Sequence, residues 1–132
     1  MTTDTDLPSP EDIIAIHEEI EKSYGLEYRG ISAHLPEQTL ESILSDVAEF
    51  DGVYQRAGAL LRRLISAHIF EDGNKRTAWT VVRLYLVDHD TGPAVRETKR
   101  VAAVLRRVQR FDTEELAEWL ATGSLDEDRL EP

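Results

Sequence analysis

Residues 60–87 read LLRRLISAHIFEDGNKRTAWTVVRLYLV, two apolar helical patterns separated by a short polar break that contains a glycine. Before the break, Val53, Ala57, Leu60, Leu61, Leu64, Ile65 and His68 share one broad apolar face, which predicts a long, mostly buried helix from about Gly52 to His68. After it, Ala78, Trp79, Val81, Val82, Leu84, Tyr85, Leu86 and Val87 cover nearly every side of a helix over residues 74–89. A helix that is apolar all round belongs in the middle of a bundle. The break itself, Phe70-Glu71-Asp72-Gly73, has the turn chemistry to stop one helix and open the next.

Working outward, Ser9-Pro10-Glu11-Asp12 is a helix start: a Ser cap, Pro at the first helical position, and carboxylates where the macrodipole favours them. Ile13, Ile14, Ile16, His17 and Ile20 supply its apolar stripe up to Ser23, with Gly25 as the stop. Periodicity is lost from Tyr24 to Pro36, which predicts a loop or, near residues 24–31, a small β flap. Leu40, Ile43, Leu44 and Val47 predict a second helix over residues 37–47. Beyond Thr91-Gly92-Pro93 a basic amphipathic helix is expected from Arg96 to Arg110, and Asp112-Thr113-Glu114-Glu115 opens a last helix ending near Gly123. The expectation is an all-α fold, a compact bundle of about six helices over residues 8–123. It is flanked by a disordered tail over residues 1–7 and a polar, frayed tail over 124–132.

A chain of 132 residues with 41% hydrophobic and 31% charged residues has the size and composition of one packed domain. Its net charge of −11 repels phosphate backbones, so direct nucleic-acid binding and attachment to anionic membranes are not expected. Only Lys22, Lys75 and Lys99 of its 15 basic residues are lysines, a balance compatible with high salt, where screening weakens self-repulsion. Cysteine is absent, which excludes disulfides, thiolate metal sites and a Cys nucleophile. Met1 to Leu7 lacks the basic and apolar regions of a secretory signal, and no apolar run approaches a membrane span, so the expected address is the cytoplasm.

The break carries the parts of a phosphate site. Gly73 permits a tight turn, and the amides of Asn74, Lys75 and Arg76 open the next helix, where unpaired N–H groups and the macrodipole attract anions. Lys75 and Arg76 add fixed positive charge, and Arg can grip phosphate bidentately. Asp72 offers the hard oxygen that Mg²⁺ prefers, and His68 has the pKa range to accept a proton from a hydroxyl nucleophile. Each residue also has an ordinary structural use. His68 on an apolar face can be a packed core residue, Asp72-Gly73-Asn74 a plain turn, and Lys75-Arg76 solvated surface. Their conjunction, a basic cluster beside the most apolar helix of an acidic chain, favours a site.

The segment resembles the Fic/Doc motif H-x-F-x-[D/E]-[G/A]-N-[G/K]-R, matched at His68, Phe70, Asp72, Gly73, Asn74, Lys75 and Arg76. The likeness extends to Ser9-Pro10-Glu11-Asp12-Ile13-Ile14-Ala15-Ile16-His17 with Tyr24-Gly25, which is similar to the start of death-on-curing (Doc) toxins, and covers roughly residues 8–123. What the resemblance implies is an enzyme in which His68 is the catalytic base and Phe70 the structural anchor of the loop. Asp72 would hold Mg²⁺, and Gly73, Asn74, Lys75 and Arg76 would bind the phosphates of ATP. Members that transfer AMP usually have Gly at the position of Lys75, whereas Doc-like members have Lys and pass the γ-phosphate to a threonine of elongation factor Tu. The implied activity is therefore that of a toxin–antitoxin phosphotransferase that inhibits translation by modifying a Ser or Thr hydroxyl of an elongation GTPase. Gly73 is a departure toward the AMP-transferring branch, so AMP transfer is the alternative, and a catalytically idle Fic-fold binding module is another. No Glu is followed by Gly or Asn, so the family's inhibitory [S/T]-x-x-x-E-[G/N] helix is missing from the sequence. A Phd-like antitoxin helix supplied in trans is then the implied partner, with an exposed apolar groove to receive it.

Arg96, Lys99, Arg100, Arg106, Arg107 and Arg110 stand against Glu97 alone in the predicted basic helix, +5 locally within a chain of −11. This face docks an acidic antitoxin or target, or touches tRNA or the ribosome near the elongation factor, or else its charges pair with neighbouring carboxylates while Val101, Leu105 and Val108 pack inward.

Overall fold

The computed structural model describes residues 7–24, 30–31 and 35–131. Six α-helices follow in order: α1 (Pro10–Tyr24), α2 (Pro36–Ala48), α3 (Val53–Ala67), α4 (Asn74–Asp88), α5 (Thr98–Arg106) and α6 (Thr113–Thr122), with 3-10 turns at Val108–Arg110 and Glu127–Leu130. The fold is an all-helical bundle, with no strand among the described residues. Its centre is α3, which packs most extensively on α6, then on α4 and α2, while α1 lies across α4. Buried side chains include Leu60, Leu61 and Leu64 of α3, Val82 and Leu86 of α4, and Leu116, Trp119 and Leu120 of α6.

Local chemistry sets the helix ends. The Ser9 hydroxyl accepts from the Asp12 N–H and the Asp12 carboxylate from the Ser9 N–H, each at 3.1 Å, with Pro10 as the first residue of α1. Asp112 and Glu115 form the same reciprocal pair at α6, and Gly123 closes that helix at φ 84°.

Two expectations fall largely outside the described residues, and two change. Residues 1–6 of the expected N-terminal tail lie outside the described residues, and Leu7 packs against the core. The expected stop at Gly25 and most of the flap also lie outside them; Gly30 and Ile31 remain, with Ile31 in a single antiparallel bridge to Phe70 and the Gly30 carbonyl accepting from the Glu71 N–H at 3.1 Å. The basic helix spans Thr98–Arg106 rather than Arg96–Arg110: the Glu97 side chain caps its start by accepting from the Arg100 N–H at 3.1 Å, and a separate 3-10 turn, Val108–Arg110, follows its end. The C-terminal tail is pinned rather than frayed. Arg129 pairs with Glu115 and Asp126 and lies over the Phe111 ring, Arg100 pairs with Glu127, and Arg110 donates to the Arg129 and Glu131 carbonyls. The Arg129 guanidinium accordingly holds the Glu115 carboxyl below its usual pKa.

Candidate active site

The His68–Arg76 segment connects the C-terminus of α3 to the N-terminus of α4. Helix α3 ends at Ala67, one residue before the apolar pattern does, and His68 takes a left-handed conformation at φ 49°. That turn swings it off the buried face of α3. His68 is exposed rather than packed in the core, and among the described residues nothing hydrogen-bonds to it. A left-handed conformation is unusual for a residue with a Cβ and costs about 1–3 kcal/mol, so the surrounding packing must hold it.

Ile69 and Phe70, 1% and 3% exposed, plug the loop into the core. The Asn74 side chain then closes it: Oδ1 accepts from the Phe70 N–H at 3.1 Å and Nδ2 donates to the Phe70 carbonyl at 2.9 Å. Its amide group is therefore spent on the loop, which leaves the backbone N–H as what Asn74 offers an anion. Gly73 is in the left-handed region at φ 78° immediately before α4, so the turn itself calls for glycine there. Asp72 Oδ1 accepts from the Gly73 N–H at 2.8 Å, leaving the second oxygen for a ligand. Lys75 and Arg76 are exposed in the first turn, Arg76 lying 4.2 Å over the Tyr24 ring.

These residues line one groove of about 950 Å³ running between α4 and α5, two helices that scarcely touch. His68, Asp72, Gly73, Asn74, Lys75 and Arg76 occupy one part of it, and Trp79, Val87, Val101 and Leu105 supply apolar walls. This corrects the expectation for α4, whose Leu84 and Val87 are 48% and 60% exposed. Val87 lines the groove, where α5 stands away from α4, and Leu84 is exposed outside that lining.

Arg83, Arg96 and Arg106 also line the groove and complete a set that sequence reading did not assemble. Among the described residues neither they nor Lys75 and Arg76 form an ion pair, whereas Arg63, Arg100 and Arg129 outside the groove all do. The basic residues expected on one helix thus serve two places: Arg100 of α5 and Arg110 of the following 3-10 turn fasten the C-terminal segment, and Arg96, ahead of α5, and Arg106, at its end, line the groove. Among the described residues only Glu71 and Asp72 bring negative charge to the lining. The groove lining is thus predominantly cationic in a strongly acidic protein.

The family model for the Fic/DOC family matches residues 7–86, more than half of the sequence. The chain belongs to the Fic/DOC family. Members of this family are typically transferases, and the matched segment runs from the start of α1 through the groove wall on α4. Comparison with curated proteins gave no match. No helix among the described residues is long and apolar enough to cross a membrane.

The residue that sequence reading passed over is His17, placed in the apolar stripe of α1. It is 2% exposed, and its ring stacks on Phe70 at 3.7 Å between centroids and 8° between planes. Nδ1 lies 3.1 Å from the Thr77 hydroxyl on α4, and Nε2 lies 3.4 Å from Glu21 Oε2. The signal was present: a titratable residue in register with Ile13 and Ile20, four residues before a carboxylate.

Burial pushes the His17 pKa below its ordinary value of 6.5, against the opposing pull of Glu21, Glu18 and Asp72. The unfolded chain then binds the proton more readily than the folded one, so the stability contributed by neutral His17 is full above pH 6.5 and is lost as pH falls below it. In paired thermal melts from about pH 7 to about pH 5, the stability of the parent chain relative to His17→Phe is expected to decline with falling pH. A difference constant over that range would contradict the lowered pKa.

Proposed function

We propose that this protein is the toxin of a toxin–antitoxin module, a phosphotransferase that uses ATP and Mg²⁺ to phosphorylate a Ser or Thr hydroxyl on a translation elongation GTPase in the cytoplasm. The observation that carries this reading is the placement of Lys75 and Arg76, which form no ion pair among the described residues, at the amide end of α4, in the same groove as His68, whose side chain has no hydrogen bond among them. A phosphoryl group in transfer spreads negative charge over its oxygens, and catalysis consists mainly of positioning and charge stabilisation. Backbone N–H groups of residues 74–76 and the two cations meet that need.

In the transfer, the target hydroxyl oxygen forms a bond to the γ-phosphorus while the bond from that phosphorus to the bridging oxygen breaks, and ADP leaves with the electron pair. His68 takes the hydroxyl proton and returns it to solvent. Asp72 fits a Mg²⁺ ion held chiefly by phosphates: it has one uncommitted oxygen, and no group of three or more potential ligands exists among the described residues. Bound there, Mg²⁺ would neutralise charge on the nucleotide phosphates.

AMP transfer is the second reading, and Gly73 is its support. The left-handed φ of Gly73 weakens that support, since the turn accounts for the glycine by itself. The apolar and cationic lining of the groove also suits an acidic amphipathic helix, the chemistry of a Phd-like antitoxin supplied in trans. Incubation with elongation GTPase and ATP labelled at either the α or the γ phosphate tests all of this. Label from γ on the GTPase, blocked by an added acidic amphipathic peptide, is the expected result. Label from α would establish AMP transfer, and no label from either would leave a binding module.

A further inference from the structure

We infer that His17 is a positioning residue that holds the motif loop, the first turn of α4 and the Gly30–Ile31 segment in one register, a role that rests on reading residues 73–76 as an anion cradle. His17 sits behind the groove and does not line it. It nevertheless contacts the motif loop and α4 directly, and reaches Gly30–Ile31 through Glu21 and Phe70. Its ring backs Phe70, the residue whose N–H and carbonyl are clasped by Asn74 and which is bridged to Ile31. Its Nδ1 meets Thr77, whose own N–H bonds to the Gly73 carbonyl at 2.9 Å in the opening turn of α4.

On its other side stands Glu21, which accepts the Gly30 N–H at 2.6 Å, and the Gly30 carbonyl in turn accepts from Glu71. The contacts close a ring from α1 through Thr77, the motif loop and Gly30 back to α1. A carboxylate can only accept, so Glu21 favours the tautomer with the proton on Nε2, leaving Nδ1 to accept from the Thr77 hydroxyl. A phenyl ring at position 17 would fill the same space against Phe70 and leave Thr77 and Glu21 without it. Filling space alone and holding register are thereby separable.

The test uses His17→Phe, Thr77→Val and Thr77→Ser in the full chain. Readouts are melting temperature, affinity for inorganic phosphate and for Mg·ATP, and hydrogen exchange of the Phe70 and Glu71 amides. For His17→Phe and Thr77→Val, melting within a few degrees of the parent is expected, with anion affinity reduced about tenfold and exchange accelerated about tenfold, the scale of one net hydrogen bond. Thr77→Ser should restore both. Parent-like affinity and exchange in the two disruptive variants would overturn the proposal. If His17→Phe does not fold, the same two outcomes are read from Thr77→Val, which leaves the ring stack in place. If the parent chain binds neither phosphate nor Mg·ATP, the cradle reading fails by itself, and the exchange rates still decide whether His17 sets the register.

Discussion

Replacing His68 with alanine is expected to lower phosphoryl transfer by about 10²–10⁴-fold, the usual contribution of a positioned general base, with the bundle intact. The selectivity of that loss follows from where His68 stands. Its side chain is exposed, has no hydrogen bond among the described residues, and contributes nothing to the core. What alanine keeps is the backbone strain at φ 49°. His68→Gly relieves it, because glycine enters the left-handed region freely, so this variant should melt no lower than His68→Ala while being equally inactive. Equal inactivity in two variants of different backbone freedom would assign the loss to the imidazole. Partial restoration of His68→Ala by added imidazole would strengthen that assignment, and transfer persisting at the parent rate in either variant would remove His68 from the chemistry.

The same residue shows what local sequence can and cannot report. Caps at Ser9, Asp112 and Gly123 were legible because a cap is a contract between residues three or four apart. The order of helices was legible because apolar periodicity records which face each one buries. His68 itself was recognisable as part of a motif, yet periodicity put it on the buried face of α3, and one left-handed residue reversed that. On α4, the apolar character of Leu84 and Val87 was plain, but composition does not tell whether a neighbour covers them; the gap to α5 beside Val87 is a property of the whole bundle. The pinned C-terminal segment depends on Arg129 meeting Glu115 and Arg100 meeting Glu127 across long sequence separations, which no window could foresee. His17 read as one more member of an apolar stripe because its partners, Phe70 and Thr77, lie more than fifty positions away.

Gly58 carries the second large expectation, and it concerns stability. It lies buried within α3, where glycine is ordinarily about 1 kcal/mol worse than alanine, so propensity alone predicts that Gly58→Ala would stabilise the protein. The packing predicts the opposite. A Cβ at this position would stand 2.8 Å from the Thr113 carbonyl oxygen and 2.9 Å from the Ala117 nitrogen of α6. Both atoms are backbone, so no rotamer change can yield; α6 itself would have to move. That helix is the principal partner of α3 and carries the buried Trp119 and Leu120. Overpacking costs about 1–3 kcal/mol, and because two backbone atoms are met below 3.0 Å the cost here belongs to the upper part of that range, above the propensity gain. Gly58→Ala should therefore lower the melting temperature by roughly 4–10 °C, and Gly58→Val by more. A rise in melting temperature for the alanine variant would mean that α3 and α6 do not approach this closely. Because α3 also presents His68 at its end, an alanine variant assayed well below its melting point should lose transfer beyond what its unfolded fraction explains.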